Sequence, residues 1–115
     1  MTPRPVQEPT FLILTALAPK PLHGYGLIKE VETLSQGAVQ LRTGTLYGAL
    51  DRLEAEGLIE VDREEVVDSR LRRYYRLRAE GETTLATEAH RRRSQASVAL
   101  RRLRTAAQPG FSFRS

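Results

Sequence analysis

The chain has 115 residues, of which 40% are hydrophobic and 28% are charged, as is usual for a single globular domain. It contains no cysteine, which excludes disulfides and thiolate metal sites, and no apolar run of about 18 residues that could span a membrane. Because the start, MTPRPVQEPT, also lacks the apolar core of a signal peptide, we expect a cytoplasmic protein.

The positive charge is concentrated in the second half of the chain. The net charge is +4, and residues 58–115 carry thirteen Lys/Arg against eight Asp/Glu, whereas residues 1–57 carry five against six. The excess lies in the runs RLRR, RRR and RRLR. Such a distribution favours an anionic partner such as nucleic acid, but a solvated basic face is an equally ordinary explanation.

Residues 1–9 contain three prolines, and we predict a flexible N-terminal arm. Thr10 is the expected cap of a short buried helix, FLILTALA, which the prolines of PKP end. This run is apolar on all sides, so a buried strand is the alternative.

Two further helices are predicted, over residues 23–35 and 43–56. In the second helix Leu27, Ile28, Val31 and Leu34 form one apolar face, and Gly37 ends it. The third has leucines at helical spacing and is followed by Gly57, the glycine that often ends a helix. Its inward leucines are Leu46, Leu50 and Leu53.

The hydrophobic period then changes to that of strands. LIEVDREEV alternates through Ile59 and Val61, and RRYYRLR alternates through Tyr75 and Leu77, with VVDSRL as a short polar connection. Three helices followed by a hairpin predict a winged helix-turn-helix over residues 10–78, a mainly α fold with a small β-hairpin (α+β).

Residues 79–107 are predicted to form one long helix, followed by a flexible tail at 108–115. The helix has no internal proline and carries an alanine-rich, heptad-like apolar seam, interrupted by Arg92. We expect this seam to pack against a second copy of the chain, the alternative being a helix folded back on its own domain. The predicted dimerisation residues are Leu85, Ala89, Ala96, Ala99, Leu100 and Leu103.

The third helix carries an unusual outward face. At about 100° per residue, inward leucines leave Gly44, Gly48 and Ala55 pointing outward, with Tyr47 on one flank and Arg52 on the other. A face so bare of side chains lets the backbone approach something large, and the major groove of DNA admits one helix. The alternatives are close packing of another protein helix or a tight turn, and the outward Asp51 argues against DNA unless it pairs with an arginine or accepts from a cytosine amino group.

Other basic groups accompany this face. Arg42, Thr43 and Thr45 stand at the helix start, where free N–H groups bind phosphate. In the hairpin, arginines near the tip suit phosphate contacts, although a solvated loop neutralised by Glu64, Glu65 and Asp68 is also possible. These arginines are Arg70, Arg72 and Arg73.

Three stretches together resemble the PadR family of bacterial transcriptional regulators: LILTALAPKPLHGYGLIKEV, GTLYGALDRLEAEGLIE and RRYYRLRAEGETTL. The resemblance covers about residues 11–85. It implies a homodimeric winged-helix repressor on an inverted-repeat operator, with the third helix in the major groove and the wing on the backbone. Some relatives release DNA on binding small aromatic or drug-like molecules, which makes such an effector a candidate partner.

The residues that match the family's motifs are Thr43, Gly44, Thr45, Leu46 and Tyr47 in the recognition helix and Tyr75 in the second wing strand. The wing departs from the family, because DSRLRRYY replaces the usual Gly-Arg-Pro type sequence and Arg78 replaces a threonine. A single C-terminal helix resembles the short-tailed branch. The predicted DNA-binding residues are Arg42, Thr43, Gly44, Thr45, Tyr47, Gly48, Arg52, Arg70, Arg72, Arg73 and Tyr75.

The competing hypotheses are a protein-interaction module that keeps the fold, and an enzyme. For an enzyme we find no support: His23 and His90 lie on different elements, no phosphate loop or metal-ligand spacing occurs, and no cofactor is predicted. His23, at a helix start, suits a structural hydrogen bond. Tyr25 and Phe11 either line a ligand cavity or belong to the core.

Overall fold

The computed structural model describes residues 6–107, so the predicted tail and residues 1–5 of the predicted arm lie outside the described part. Within that part the chain forms four helices and one three-stranded antiparallel sheet with the strand order β1-β3-β2. The elements are α1 (Glu8–Leu17), β1 (Leu22–His23), α2 (Gly24–Leu34), α3 (Thr43–Ala55), β2 (Ile59–Val67), β3 (Arg70–Leu77) and α4 (Ala79–Ala107). The predicted α+β winged helix-turn-helix with a long C-terminal helix is confirmed.

Helix α1 begins at Glu8, three residues before the predicted start at Phe11. Gln7 is the N-cap, and its carbonyl accepts from the Phe11 N–H at 2.9 Å without any side-chain cap. Pro9 lies in the first turn, where its missing N–H costs no hydrogen bond. The prediction of Thr10 as the cap is therefore wrong, and Glu8 and Pro9 belong to the helix. The strand alternative for this run is wrong as well.

Glycines follow α2 and α3 as predicted. Gly57 has φ 77°, and the backbone N–H of Leu58 donates to the Leu53 carbonyl at 3.0 Å. The N–H of Gly37 donates to the Glu32 carbonyl at 2.8 Å in the same way. These bonds satisfy carbonyls that a helix end otherwise leaves without partners.

Strand β1 was not predicted. Its two residues pair antiparallel with β3, Leu22 opposite Tyr75 and His23 opposite Tyr74. A strand this short has no periodicity that a sequence could reveal. His23 is also the N-cap of α2, because its Nδ1 accepts from the Gly26 N–H at 3.2 Å. The predicted structural role of His23 is confirmed.

The hairpin is longer than predicted, because the connection is only Asp68 and Ser69. Both have positive φ, 51° and 64°, as a two-residue hairpin turn that matches the strand twist requires. The flanking residues predicted to be loop, 66–67 and 70–71, continue the strands to the Val67–Arg70 pair. A bulge between Val61 and Arg63 interrupts the register.

The core lies between the first three helices and the sheet. The leucines of α3 that were predicted to point inward are at most 1% exposed. They pack with side chains from α1, α2 and the sheet in one cluster. Its fully buried members are Ile13, Leu14, Leu27, Val31, Leu46, Leu50, Leu53, Ile59 and Tyr75.

Helix α4 has two differently packed parts. Its start lies beside the connection between α3 and β2, where the Arg78 N–H donates to the Leu58 carbonyl at 2.9 Å. Leu85 packs against the core and Glu88 is buried, so the first part follows the alternative of a helix folded back on its own domain. The side chains from Arg93 to Arg104 are exposed. No helix within residues 6–107 combines the length and apolarity needed to cross a membrane.

Gly81 is the glycine of α4 that tertiary packing requires. A Cβ there would overlap the Leu58 carbonyl oxygen and lie 3.1 Å from its carbon. We expect Gly81→Ala to lower the free energy of unfolding by about 1–3 kcal/mol because the backbone must shift. Gly48→Ala, whose Cβ meets nothing within 4 Å, should instead raise it by about 0.5–1 kcal/mol. Urea denaturation measures both, and equal effects would contradict this packing.

The cap of α2 makes stability depend on pH. Burial, followed by the charge of Arg72, lowers the pKa of His23. The unfolded chain therefore binds this proton more readily, so the contribution is complete above about pH 6.5 and is lost as the pH falls through the folded-state pKa. Between pH 8 and 5 the free energy of unfolding should fall more in the parent than in His23→Asn, which keeps a capping acceptor without titrating. Urea denaturation at several pH values measures this, and the same pH dependence of the free energy of unfolding in both proteins would show that His23 does not contribute to it.

Candidate nucleic-acid interface

The outward line of α3 is open space. Leu46, Ala49 and Leu50 are buried on one side of the helix, whereas Gly44 and Gly48 are exposed on the other. A Cβ at either glycine would meet nothing within 4 Å. Both lie inside the helix and neither has positive φ, so the tight-turn explanation is wrong. No contact within residues 6–107 accounts for these glycines, which leaves an external surface as their reason.

The start of α3 is also free of side-chain caps. The Arg42 carbonyl accepts from the Leu46 N–H at 2.9 Å, but its side chain makes no cap hydrogen bond. Arg42, Thr43 and Thr45 are all exposed. Uncapped N–H groups with the positive end of the helix dipole attract anions, so this end suits a phosphate group.

Tyr47 lies in a seat made by a glycine of α2. Its side chain is 43% exposed, and the ring lies against Gly24. A Cβ on Gly24 would overlap the Tyr47 hydroxyl and lie 2.9 Å from the ring carbon that bears it. Gly24 therefore determines where the Tyr47 hydroxyl points. The sequence does not reveal this pair, because no local pattern relates two residues so far apart along the chain.

A cleft of about 490 Å³ separates the start of α2 and Tyr47 from the hairpin. Tyr47 and the hairpin arginines line the same cleft, although they lie on separate elements of the sequence. Tyr25, 66% exposed, also lines it, whereas the Phe11 ring lies under Arg92 in another part of the structure. The lining residues are His23, Gly24, Tyr25, Tyr47, Val67, Asp68, Arg70, Leu71, Arg72 and Arg73.

The hairpin arginines differ in their partners. Arg73 is opposite Glu64, and its Nε lies 3.0 Å from the carboxylate. Arg72 is opposite Glu65, but that carboxylate accepts from the Tyr74 hydroxyl at 2.8 Å. In the part of the chain that is described, neither Arg70 nor Arg72 forms an ion pair. Neutralisation by carboxylates, the alternative for this loop, is thus limited to Arg73 among residues 6–107, and the guanidinium groups of Arg70 and Arg72 beside the cleft keep their charge available.

The hairpin tip carries an apolar pair that the sequence analysis did not single out. Val66 and Leu71 are opposite each other in the register and are 71% and 62% exposed. Leu71 falls in DSRLRRYY, where the resemblance predicts a different wing sequence. The tip therefore combines apolar and cationic side chains on one short ribbon.

Tyr75 does not belong to this surface. It is 2% exposed, because strand alternation places it with Leu77 and Ile59 on the face that packs against the helices. Burial raises the pKa of the Tyr75 hydroxyl. A ring this buried has no access to DNA, so the prediction of a direct contact by Tyr75 is wrong.

Arg52 lies on the flank of α3 opposite to Tyr47. It lines a second cavity, of about 430 Å³, which includes Thr10 and Glu56. Asp51 is exposed on the outward side and makes no ion pair with any of residues 6–107, so of its two suggested partners the arginine is not found there. Arg52 and Tyr47 therefore lie on opposite flanks of the outward line of α3 and line different cavities.

Titratable groups elsewhere form no catalytic arrangement among the described residues. His23 holds the start of α2, and His90 is exposed on α4. Glu54, on α3, and Glu56, the residue that follows its last turn, are both exposed. No group of three or more potential metal ligands occurs within residues 6–107.

Comparison with known proteins identifies the family. The sequence model described as "Transcriptional regulator PadR-like family" matches residues 13–87. The transcriptional regulator Rv3488 of Mycobacterium tuberculosis is 41% identical over 76 residues, which cover 66% of this chain and 67% of that protein. The transcriptional regulator YqjI of Escherichia coli is 40% identical over 58 residues, but these cover only 28% of its length.

Solved structures agree. A PadR family transcription regulator from Clostridium difficile superposes with a TM-score of 0.69 at 28% identity, covering 83% of this chain and 97% of the other. Bacillus subtilis PadR, solved in complex with operator DNA, has a TM-score of 0.61 at 22% identity, covers 68% of this chain and 45% of the other, and shares the fold. With its sequence matched over residues 13–87 and its fold matched over most of its length, this chain belongs to the PadR-like family of transcriptional regulators.

Proposed function

We propose that this chain is a sequence-specific DNA-binding repressor that acts as a homodimer on an inverted-repeat operator. Helix α3 enters the major groove and the hairpin contacts the phosphate backbone. The observation that carries the proposal is the bare outward line of α3, with Gly44 and Gly48 facing open space next to a cleft that holds unpaired arginines.

The bare line suits close approach of the α3 backbone to the floor of the groove. A major groove about 12 Å wide admits a helix whose diameter with side chains is about 10–12 Å, and a face without side chains lets the helix axis lie closer to the floor of the groove. At Gly44 and Gly48 the helix has none, so it can lie deep enough for its flanks to reach base edges. Tyr47 and Arg52, on the two flanks, are the candidate readers.

The cleft beside α3 suits a phosphodiester backbone. Arg70 and Arg72 carry charges that no carboxylate within residues 6–107 neutralises, and both line the cleft opposite Tyr47. Phosphate contacts from such groups position a protein on DNA without reading its sequence. The complex of Bacillus subtilis PadR with operator DNA supports this use of the shared fold.

The distal part of α4 supports the homodimer. Ala96, Ala99, Leu100 and Leu103 are exposed and fall on one side of the helix, with Leu100 and Leu103 58% and 67% exposed. Ala89 is exposed at the start of this surface, whereas Leu85 contributes to the core of its own chain. Two copies joined here would present two α3 helices to an inverted repeat.

The proposal also includes release of the DNA when a small aromatic or drug-like effector binds the protein.

Gel-shift assays on the promoter of its own gene test the proposal. We expect a preferred sequence with dyad symmetry, bound far more tightly than a scrambled duplex of the same length. Binding without any sequence preference would contradict the proposal and favour a protein-interaction module. Pull-downs with and without nuclease treatment then separate a protein partner from one bridged by DNA.

Three substitutions test the surface of α3, two of them at the seat of Tyr47 and one on the outward line. Tyr47→Ala should weaken operator binding by roughly 1–3 kcal/mol, and Gly24→Ala should do the same because its Cβ displaces the Tyr47 ring. Gly48→Ala should weaken operator binding while stabilising the fold, since its Cβ lies on the outward line. Affinities come from gel shifts and stabilities from urea denaturation. Unchanged operator affinity in Gly48→Ala would show that close approach is not the reason for this glycine.

The hairpin arginines are distinguished by salt dependence. Arg72→Gln should reduce the slope of log affinity against log salt concentration by about 0.9, the value for one lost phosphate contact on B-DNA. Arg73→Gln is the matched control, because Glu64 already neutralises Arg73 and its slope should change less. Fluorescence anisotropy over a range of KCl concentrations measures both. A larger change of the slope in Arg73→Gln than in Arg72→Gln would contradict the assignment of the phosphate contact to Arg72.

A further inference from the structure

The buried charge of the described chain lies on α4, away from α3 and the cleft. The Glu88 side chain is 8% exposed and accepts from Arg91 Nη2 at 2.7 Å. The hydrogen bond from Arg91 lowers the pKa of Glu88, with a further contribution from the Val6 backbone. A carboxylate removed from water is costly unless its partners are held in place, so this arrangement demands a defined geometry.

Arg92 connects this carboxylate to the opposite end of the chain. Its Nη2 donates to the Val6 carbonyl at 2.7 Å, and its Nε lies 3.7 Å from the Glu88 carboxylate. The guanidinium carbon lies 4.2 Å from the centre of the Phe11 ring, a cation–π contact. Arg92 therefore binds α4 both to the segment before α1 and to α1 itself. This explains why an arginine interrupts the apolar seam of α4.

These residues are the last anchor of α4. Beyond Arg92, no side-chain hydrogen bond or salt bridge connects residues 93–107 to the rest of the described chain. The free part of the helix is about 22 Å long at 1.5 Å per residue. The angle at which it leaves the domain is thus determined near Glu88 and Arg92. A tilt of about 10° there displaces its end by roughly 4 Å, close to the rise of one base pair.

We propose that Glu88, Arg91 and Arg92, with Val6 and Phe11, form a clamp that sets the angle between α4 and the winged helix and so selects the spacing of operator half-sites. The spacing role rests on the proposed function, because it requires a dimer on two half-sites. Arg92 is a positioning residue: it acts through α4 and does not touch the DNA itself.

Substitutions of Arg92 can remove single contacts of the clamp while a long side chain still fills the position. Arg92→Met keeps an unbranched stem against Phe11 but removes the donor to the Val6 carbonyl. Arg92→Lys keeps a donor and the charge but loses the planar guanidinium over the ring. Arg93→Met is the matched control, since Arg93 is exposed on a neighbouring position of the same helix. Circular dichroism establishes that each variant is folded.

Distance measurements test the clamp without DNA. The chain has no cysteine, so cysteines introduced at the exposed positions Ala55 and Ser97 carry the only spin labels, one on α3 and one on α4. Labelled chain diluted into unlabelled chain gives distances within one copy by pulsed electron resonance. We expect a narrow distribution in the parent and in Arg93→Met, a broader or shifted one in Arg92→Met, and an intermediate one in Arg92→Lys. A distribution unchanged in Arg92→Met would overturn the clamp.

Operators that differ only in the number of base pairs between half-sites test its consequence. The parent should lose affinity roughly tenfold when one base pair is inserted, and Arg92→Met should discriminate clearly less while binding a single half-site equally well. Equal discrimination by both proteins would overturn the spacing role. If the parent protein showed no preference for any operator sequence, both the proposed function and the spacing role would be contradicted. The distances between the spin labels would still show whether the clamp sets the angle of α4.

Discussion

The burial of the leucine face of α3 is the contact on which the rest of the structure depends. Leu46, Leu50 and Leu53 are essentially inaccessible and pack with side chains from every other element of the core. Each buried leucine contributes about 1.5–3 kcal/mol, whereas each glycine in a helix costs about 0.5–1 kcal/mol. Because the inward face holds the helix so firmly, the outward face can give up side chains. A helix of weak intrinsic propensity is thereby kept in place for use as a surface.

The surroundings of α3 form one rigid unit. Tyr75 connects the sheet to the helical core, and the short strand β1 joins the start of α2 to β3. The same start of α2 contains Gly24, which seats Tyr47, and His23, which caps the helix. Elements on the two sides of the cleft are therefore connected through β1 and β3, which reduces the rearrangement that the proposed binding of a polyanion would need. In such an arrangement Gly24 and His23 position other residues, whereas Tyr47 is exposed and available for contact with a partner.

Helix α4 shows how one continuous element serves two purposes. Gly81 and Leu85 belong to the core of the domain, and Arg92 ends the region of contact. The apolar side chains beyond it remain uncovered by any of residues 6–107. The periodicity of the helix is the same in both parts, since the side that packs at Leu85 returns at Ala96 and Leu103. A single stripe therefore packs on the domain first and then continues as the exposed surface at which we propose that a second copy binds.

The sequence by itself determined the order and nature of the main elements, the leucine face of α3 and its bare outward line, because these follow from local periodicity and from glycine. It could not reveal β1 or the two-residue hairpin turn, because a signal of two residues is too short to recognise. It also could not reveal the early start of α1, because proline is as common in the first turn of a helix as in a flexible arm. The family resemblance placed Tyr75 among the DNA contacts, although its alternation with Leu77 is also the pattern of a residue on the inward face of the strand. Only the tertiary structure decided that Tyr47 rests on Gly24, that Arg73 is neutralised while Arg72 is not, and that Arg92 binds Val6. Each of these depends on how separate elements pack together, and periodicity within an element carries no information about that packing.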